Sequence, residues 1–423
     1  MRNPAFRAYA EGYLQIQEEF VEQVRQAGME FDPEGYEAEL AARREALRRK
    51  GATFRNNGHS IHAGPISPAC LACAKGVGSA TFYTSLQCHR HCFYCFNPNQ
   101  EAYTLHSRLR RDVAAELREL SDQGFQVSHL ALTGGEPLLH PQEACTFFAT
   151  ARERFPGVHT RLYTAGDHLN RDLLRQLQEA GLAEIRISVR AHDGPKGRRQ
   201  TYEKIALARE YIPAVMVETP VLPGTREIMQ EMLLELDRLQ VFGANLLEFC
   251  FPFHNAEAFR SRGYLVKQRP YETLYDYWYA GGLPVSRSEL ECLELLEFTL
   301  DRGLGIGVHY CSLENKHTGQ IYQQNWGEPV PSTAWFSPRD FFIRVAKVFG
   351  SEKEQARVAL GGECLDRGAY LEFHPALIER LKGLDLEVGI AVCVVEHRPE
   401  GQVLRELKVG LTRPEAFDPG LDL

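Results

Sequence analysis

The sequence predicts an α/β protein whose core is a partial (β/α)6-type barrel, with an N-terminal helical extension and a small C-terminal α+β domain. From about residue 78, strand-like apolar runs alternate with segments of helical length, the pattern of a parallel sheet with right-handed crossovers. Six such units precede a change of rhythm near residue 315, which suggests a TIM-type barrel, complete or partial. A doubly wound open sheet fits the same alternation. The expected domains are 1–77, 78–315 and 316–423.

Residues 4–27 and 33–50 read as two charged amphipathic helices, punctuated by Asp32-Pro33 and closed by Gly51. Asn56–Pro68 reads as loop. Expected strands are 79–86, 127–133, 158–164, 183–190, 213–221, 244–250 and 304–310. Between them, 110–124, 141–155, 170–181, 199–211, 225–240 and 286–303 read as helices. Residues 251–285 form a long aromatic-rich insertion, a frequent origin of lids and substrate walls. Further on, strands near 341–348, 369–373, 387–396 and 403–411 flank helices at 351–360 and 375–383. The last two strands, separated by Arg398-Pro-Glu-Gly401, read as a hairpin.

Apolar residues make up 44% and charged residues 25%, which excludes a disordered, collagen-like or small disulfide-scaffold chain. A net charge of −8 gives no sign of nucleic-acid binding, and Arg43–Lys50 reads as a solvated helix face. No run approaches the ~18 apolar residues of a membrane span. The start, MRNPAFRAYAEGY, lacks a signal peptide's apolar stretch, so the expected location is the cytoplasm. In a reducing compartment the 11 cysteines, five of them between residues 70 and 95, point to metal binding rather than disulfides.

The strongest signal is Cys88-His-Arg-His-Cys92-Phe-Tyr-Cys95. Three thiolates so spaced can hold an iron–sulfur cluster and leave one iron open. A closed zinc site, with His89 or His91 as fourth ligand, is the alternative. The triplet follows the first expected strand, at the end where β/α barrels place their active sites. Thr133-Gly134-Gly135-Glu136-Pro137 follows the second. Its glycines let a ligand approach the backbone, and Glu136 can receive an ammonium group.

With these motifs, CxxxCxxC carrying Tyr94 before its last cysteine and GGEP one unit later, the chain resembles the radical SAM superfamily over roughly residues 78–310. The resemblance implies that Cys88, Cys92 and Cys95 hold an oxygen-sensitive [4Fe–4S] cluster. S-adenosylmethionine (SAM) would chelate the open iron, with Gly134, Gly135, Glu136 and Pro137 at its methionine end. It further implies reductive cleavage of SAM to a 5′-deoxyadenosyl radical, which takes hydrogen from a small-molecule or peptide substrate, and a reductant such as flavodoxin or ferredoxin. Two other readings stand beside this one: an activating enzyme that makes a radical on a partner protein, and a non-catalytic metal or electron-transfer module.

Alternation within Glu184–Arg190 turns Ile185, Ile187 and Val189 toward the helices, and Arg186, Ser188 and Arg190 into the lumen. Unpaired polar groups inside a filled barrel are costly, so the lumen is expected to be a ligand cavity, with Ser188 or Arg190 on the SAM ribose or carboxylate. An edge strand with one wet face is the plainer alternative. Glu218–Gly224 looks like the family's adenine-packing segment, with Val221 and Leu222 as walls. Glu248 and Cys250 share a phase and are the catalytic candidates, Glu248 as a polar lumen residue and Cys250 as a hydrogen-atom donor; the bland alternative for Cys250 is an inert buried thiol.

Cys70-Leu-Ala-Cys73 and Cys311 are candidates for a second iron–sulfur cluster or a zinc ion, with Cys364 as a fourth ligand. Distance argues against them. Cys311 belongs at the barrel's top and the pair at its bottom, and the few residues from Cys73 to the first strand reach at most ~20 Å, about one strand length, so the top is only just attainable. Cys145, Cys292 and Cys393 sit in apolar patterns and are expected in the core.

Overall fold

A computed structural model describes residues 1–273 and 282–423. The chain divides into two compact units. One holds Ala27–Pro270 and the segment ending at Lys316; the other holds Met1–Gln26 and His317–Leu423. The stretch expected as one helical extension, 1–77, is therefore shared between them.

The first unit is built on nine strands: β1 (Thr53–Arg55), β2 (Ser60–Ala63), β3 (Ser79–Tyr83), β4 (His129–Thr133), β5 (His159–Thr164), β6 (Glu184–Ile187), β7 (Ala214–Val221), β8 (Gly243–Glu248) and, after a two-strand ladder of β9 (Cys250–Phe251) and β10 (Leu283–Pro284), β11 (Gly307–Cys311). Their order is β1-β2-β11-β8-β7-β6-β5-β4-β3. From β3 to β11 neighbours are parallel and follow sequence order without reversal, which is a partial barrel and not a doubly wound sheet. The segment expected as loop contributes β2, which pairs antiparallel with β11.

Local chemistry sets the crossovers. Asp112 and Asn170 cap the helices Val113–Asp122 and Arg171–Ala180 by accepting from the N–H of Ala115 and Leu173 at 2.9 and 3.0 Å. Gly181 ends the second helix at φ +94°, where a side chain would be strained. Apolar residues of one strand face, among them Leu130, Leu132, Ile185, Ile187, Val217 and Leu246, pack on the helices as one core. The helix expected from residue 33 begins at Glu37, because Asp32-Pro33 lies in an extended segment whose Asp32 N–H bonds Val266. Part of the expected 251–285 insertion, residues 274–281, lies outside the described residues; the rest includes a short helix, Ala256–Arg260.

The second unit is an antiparallel sheet of β12 (Ala334–Phe336), β13 (Ile343–Phe349), β14 (Leu365–Asp366), β15 (Tyr370–Phe373), β16 (Val388–Arg398) and β17 (Gly401–Thr412). Its order is β14-β15-β13-β16-β17, with β12 on β13, and β16–β17 form the expected hairpin. The helix Pro4–Gln26 lies on this sheet: Phe6 stacks on Phe349, ring centres 4.6 Å apart, and the Lys347 ammonium, donating to Tyr9 at 2.8 Å, also pairs with Glu406.

Candidate functional site

The three cysteines occupy the loop that leaves β3. Cys88 is exposed, while Cys92 and Cys95 are half-buried. The loop is shaped by its own bonds: the Cys95 N–H donates to the Cys92 carbonyl at 3.0 Å and the Arg90 N–H to Cys88 Sγ at 3.4 Å. His254, whose Nε2 lies 2.6 Å from the Cys95 carbonyl, and Asn255, donating to the Phe93 carbonyl at 3.1 Å, hold it from the segment after β9. Burial pushes all three thiols up, Cys95 to about 11, and the Arg190 guanidinium partly offsets this at Cys92. His89, a candidate zinc ligand by sequence, instead meets Asp167 at 2.6 Å, and Arg90 clasps the same carboxylate. Asp167, just beyond β5, had no motif to mark it.

Gly134 and Gly135 are required by close packing within the protein itself. A Cβ on Gly135 would sit 1.9 Å from the Gln87 carbonyl oxygen, and one on Gly134 2.5 Å from Tyr83 Cβ. The N–H groups of Gly135 and Glu136 donate to the Ser85 and Gln87 carbonyls at 3.0 and 2.8 Å. Asn97 donates to the Gly134 carbonyl at 2.7 Å. The turn therefore clamps the cysteine loop onto β4. Glu136 is buried and points the same way: it accepts from Thr164 Oγ1 at 2.6 Å, the Ala165 N–H at 2.7 Å and the Leu138 N–H at 3.1 Å. Pro137 opens a short 3-10 turn, Pro137–Leu139.

The lumen at the level of Arg186 is filled, contrary to the expected cavity. The helix Pro68–Cys73, capped by Ser67, brings its residues against the inner faces of the strands. Arg186 pairs with Glu184 at 2.5 Å and Glu218 at 2.6 Å, and donates to Ser67 at 3.2 Å and Cys70 Sγ at 3.3 Å. Glu184 also accepts from Ser67 at 2.6 Å and faces His159 at 3.0 Å. Asn245 links Glu218, Cys70 and His309. These polar groups compensate one another, so no solvent is needed to satisfy them. Higher up, the Ser188 N–H donates to the Thr164 carbonyl at 3.0 Å, beyond the end of β6, which was expected to run to 190. Buried Arg190 meets the Asp193 carboxylate through both Nε and Nη2, each 3.0 Å from Oδ2.

Two other expectations change with side-chain phase. Glu248 shares the outer face of β8 with Ala244 and Leu246, which belong to the strand–helix core, and not the lumen. It accepts from the Leu313 N–H at 3.0 Å near Lys267, and burial pushes its carboxyl up. Val221 belongs to that same outer core; Leu222, also buried, does not. Cys250 opens β9, opposite Pro284. A cleft of about 820 Å³ lined by Arg108–Ala114, Gln142, Glu143 and Thr146 contains none of these residues.

The donor set suits a cluster. Three cysteines share one loop at the strand ends, with the Arg190 guanidinium beside Cys92. Among the described residues no group of three His, Cys, Asp or Glu is arranged to hold a single metal ion. No helix among the described residues is long and apolar enough to cross a membrane.

Residues 82–236 match the family model described as the Radical SAM superfamily. A protein of Methanocaldococcus jannaschii with the provisional name glycyl-radical enzyme activating enzyme is 28% identical over 214 residues, 48% of this chain and 55% of that protein. The GTP 3′,8-cyclase of Picosynechococcus sp. is 28% identical over 211 residues, 45% of this chain and 62% of that one. The match thus spans less than two thirds of either relative. Streptococcus suis SuiB, in a crystal structure bound to its precursor peptide SuiA, has a TM-score of 0.42 and 12% identity, over 69% of this chain and 56% of that chain. The residues that match this family model run from within β3 into the crossover helix after β7 and include both motifs.

Proposed function

We propose that this chain is a radical SAM enzyme acting on a small molecule or peptide. The observation that carries the reading is the family match across a loop whose three cysteines stand at the barrel's strand ends, locked there by the Gly134–Gly135 clamp. A [4Fe–4S] cluster on Cys88, Cys92 and Cys95 would, once reduced, supply the radical cleavage of SAM. The chain's own groups set the surroundings. Arg190 brings positive charge beside Cys92, suited to an anionic cluster or the SAM carboxylate. Ser188, at the strand's open end, is the neighbouring polar candidate. Glu136 braces the Thr164–Ala165 turn, with its carboxylate already supplied with donors. A flavodoxin- or ferredoxin-type reductant is the electron source that fits, and the cytoplasm is the compartment that suits reduced thiols.

Anaerobically reconstituted protein, reduced with SAM present, is expected to form 5′-deoxyadenosine. Cys88→Ala/Cys92→Ala/Cys95→Ala should form none; formation by that variant overturns the reading. The name of the Methanocaldococcus jannaschii relative favours a second reading, activation of a partner protein. A persistent glycyl-radical EPR signal on an added partner would select it; hydrogen transfer from a small molecule or peptide into 5′-deoxyadenosine selects the first.

A further inference from the structure

The segment that follows β9, Pro252-Phe-His-Asn255, ties the cysteine loop at three points. Asn99 donates to the Pro252 carbonyl, His254 Nε2 lies 2.6 Å from the Cys95 carbonyl, and Asn255 donates to the Phe93 carbonyl at 3.1 Å. A carbonyl oxygen can only accept, so His254 must carry a proton on Nε2. The segment holds a conformation its residues do not choose alone. Phe253 and Asn255 both lie in the left-handed region, at φ +61° and +57°. Asn adopts it readily, and a bulky Phe does not. The Phe253 side chain is 39% exposed, so burying its ring is not what holds the backbone there. Strain of this kind persists where the surroundings over-determine it. Here they are an aromatic block: Phe249 and Phe259 stack with ring centres 5.4 Å apart, and Phe251, fully buried, meets Phe259 edge-on. Phe93, inside the cysteine loop, meets Phe259 edge-on at 5.3 Å. With the loop and the start of the segment both fixed on this block, the left-handed turns aim His254 and Asn255 at the loop's carbonyls.

We propose that His254 is a positioning residue for the cluster: its Nε2–H fixes the Cys95 peptide and, with Asn255, straps the cysteine loop into its cluster-holding conformation. The proposal rests on the reading that Cys88, Cys92 and Cys95 hold a [4Fe–4S] cluster. His254 touches neither the cluster nor SAM in this account. It acts through the peptide of one ligand, and Asn255 through the peptide of Phe93, between Cys92 and Cys95. Fixing these peptides sets the directions of the thiolates before metal arrives, as groups hydrogen-bonded behind a metal's ligands do.

The test compares the full chain with His254→Phe, which fills the space without a donor, and His254→Gln, which returns an N–H near Nε2. All three are reconstituted anaerobically with iron and sulfide. His254→Phe should lose its iron to a chelator about 10-fold faster than the wild type, with shifted g-values in the reduced EPR spectrum. His254→Gln should restore both. In the metal-free proteins, amide hydrogen exchange over residues 88–96 should quicken in His254→Phe while β4–β6 keep their protection. Should His254→Phe fail to fold by circular dichroism, Asn255→Ala removes the second tie alone and should shift iron loss and exchange the same way. Unchanged iron loss and g-values overturn the proposal, as does a His254→Gln variant that restores neither. Exchange that quickens equally in β4–β6 overturns it too, since His254 would then support the fold at large. A wild type that takes up no cluster overturns the reading of the triplet, and the proposal with it. A wild type that takes one up beside an indistinguishable His254→Phe overturns the proposal alone.

Discussion

At the residue scale, Gly135 is the position where backbone contact and site geometry coincide. A methyl group there meets the Gln87 carbonyl at 1.9 Å, and both atoms belong to backbone that is hydrogen-bonded on each side. Relief requires moving the loop that carries Cys88. Gly135→Ala is expected to cost about 3 kcal/mol, near the upper end for overpacking, and to lower the iron retained after reconstitution. Denaturant midpoints and iron content check the two effects; an unchanged midpoint would show that the loop yields freely. The pair Gly134-Gly135 is legible in the sequence as a place of close approach to the backbone. The atoms that make it necessary come from residues 85–87, which only folding brings near.

At the scale of elements, the helix Pro68–Cys73 and strand β6 are joined by one carboxylate. Glu184 is buried with a pKa of about 2, below its ordinary 4.5. Burial alone would raise it, but His159, Arg186 and Ser67 outweigh that. The sign follows directly. The carboxylate binds fewer protons when folded, so its contribution is present above pH 4.5 and is lost as the pH falls from there toward 2. Glu184→Gln leaves Arg186 with one ion pair fewer and should cost about 3 kcal/mol at pH 7. It should also flatten the acid limb of the stability profile in that window. Equilibrium unfolding at several pH values checks both, and an unaltered acid limb would refute the role. Strand phase locates Arg186 correctly in the lumen, but the sequence marks no helix over Pro68–Cys73, whose first residue closes the expected loop. A six-residue helix with Pro and Cys shows too little periodicity to declare itself.

For the whole molecule, chain order and spatial order diverge at the N-terminus. Residues 1–26 belong with the C-terminal sheet, where Phe6 is fully buried on Phe349 and the Arg2 and Asn3 N–H groups donate to Glu387. Phe6→Ala is expected to destabilise that unit by about 3–4 kcal/mol. Hydrogen exchange should report the loss in β13 and β16, with the parallel strands of the other unit keeping their protection. Equal loss in both units would show that they unfold together. The charged pattern of residues 4–27 identifies a helix; nothing in it names the sheet it covers.

What the sequence determined by itself is what repeats or is spaced along the chain: the strand–helix alternation, the C-terminal hairpin, the cysteine triplet and the following Gly-Gly turn. These are local signals, and hydrophobic period and motif spacing carry them without reference to distant residues. The tertiary structure alone decided what fills the barrel and which way each polar side chain is satisfied. Arg186, Glu184, Glu218 and Asn245 come from three strands, and their partners Ser67 and Cys70 from a short helix more than a hundred residues earlier. Glu248 shows the same limit. One residue of phase separates lumen from outer core, and the hydrogen-bonded register of β8 between β7 and β11 sets that phase.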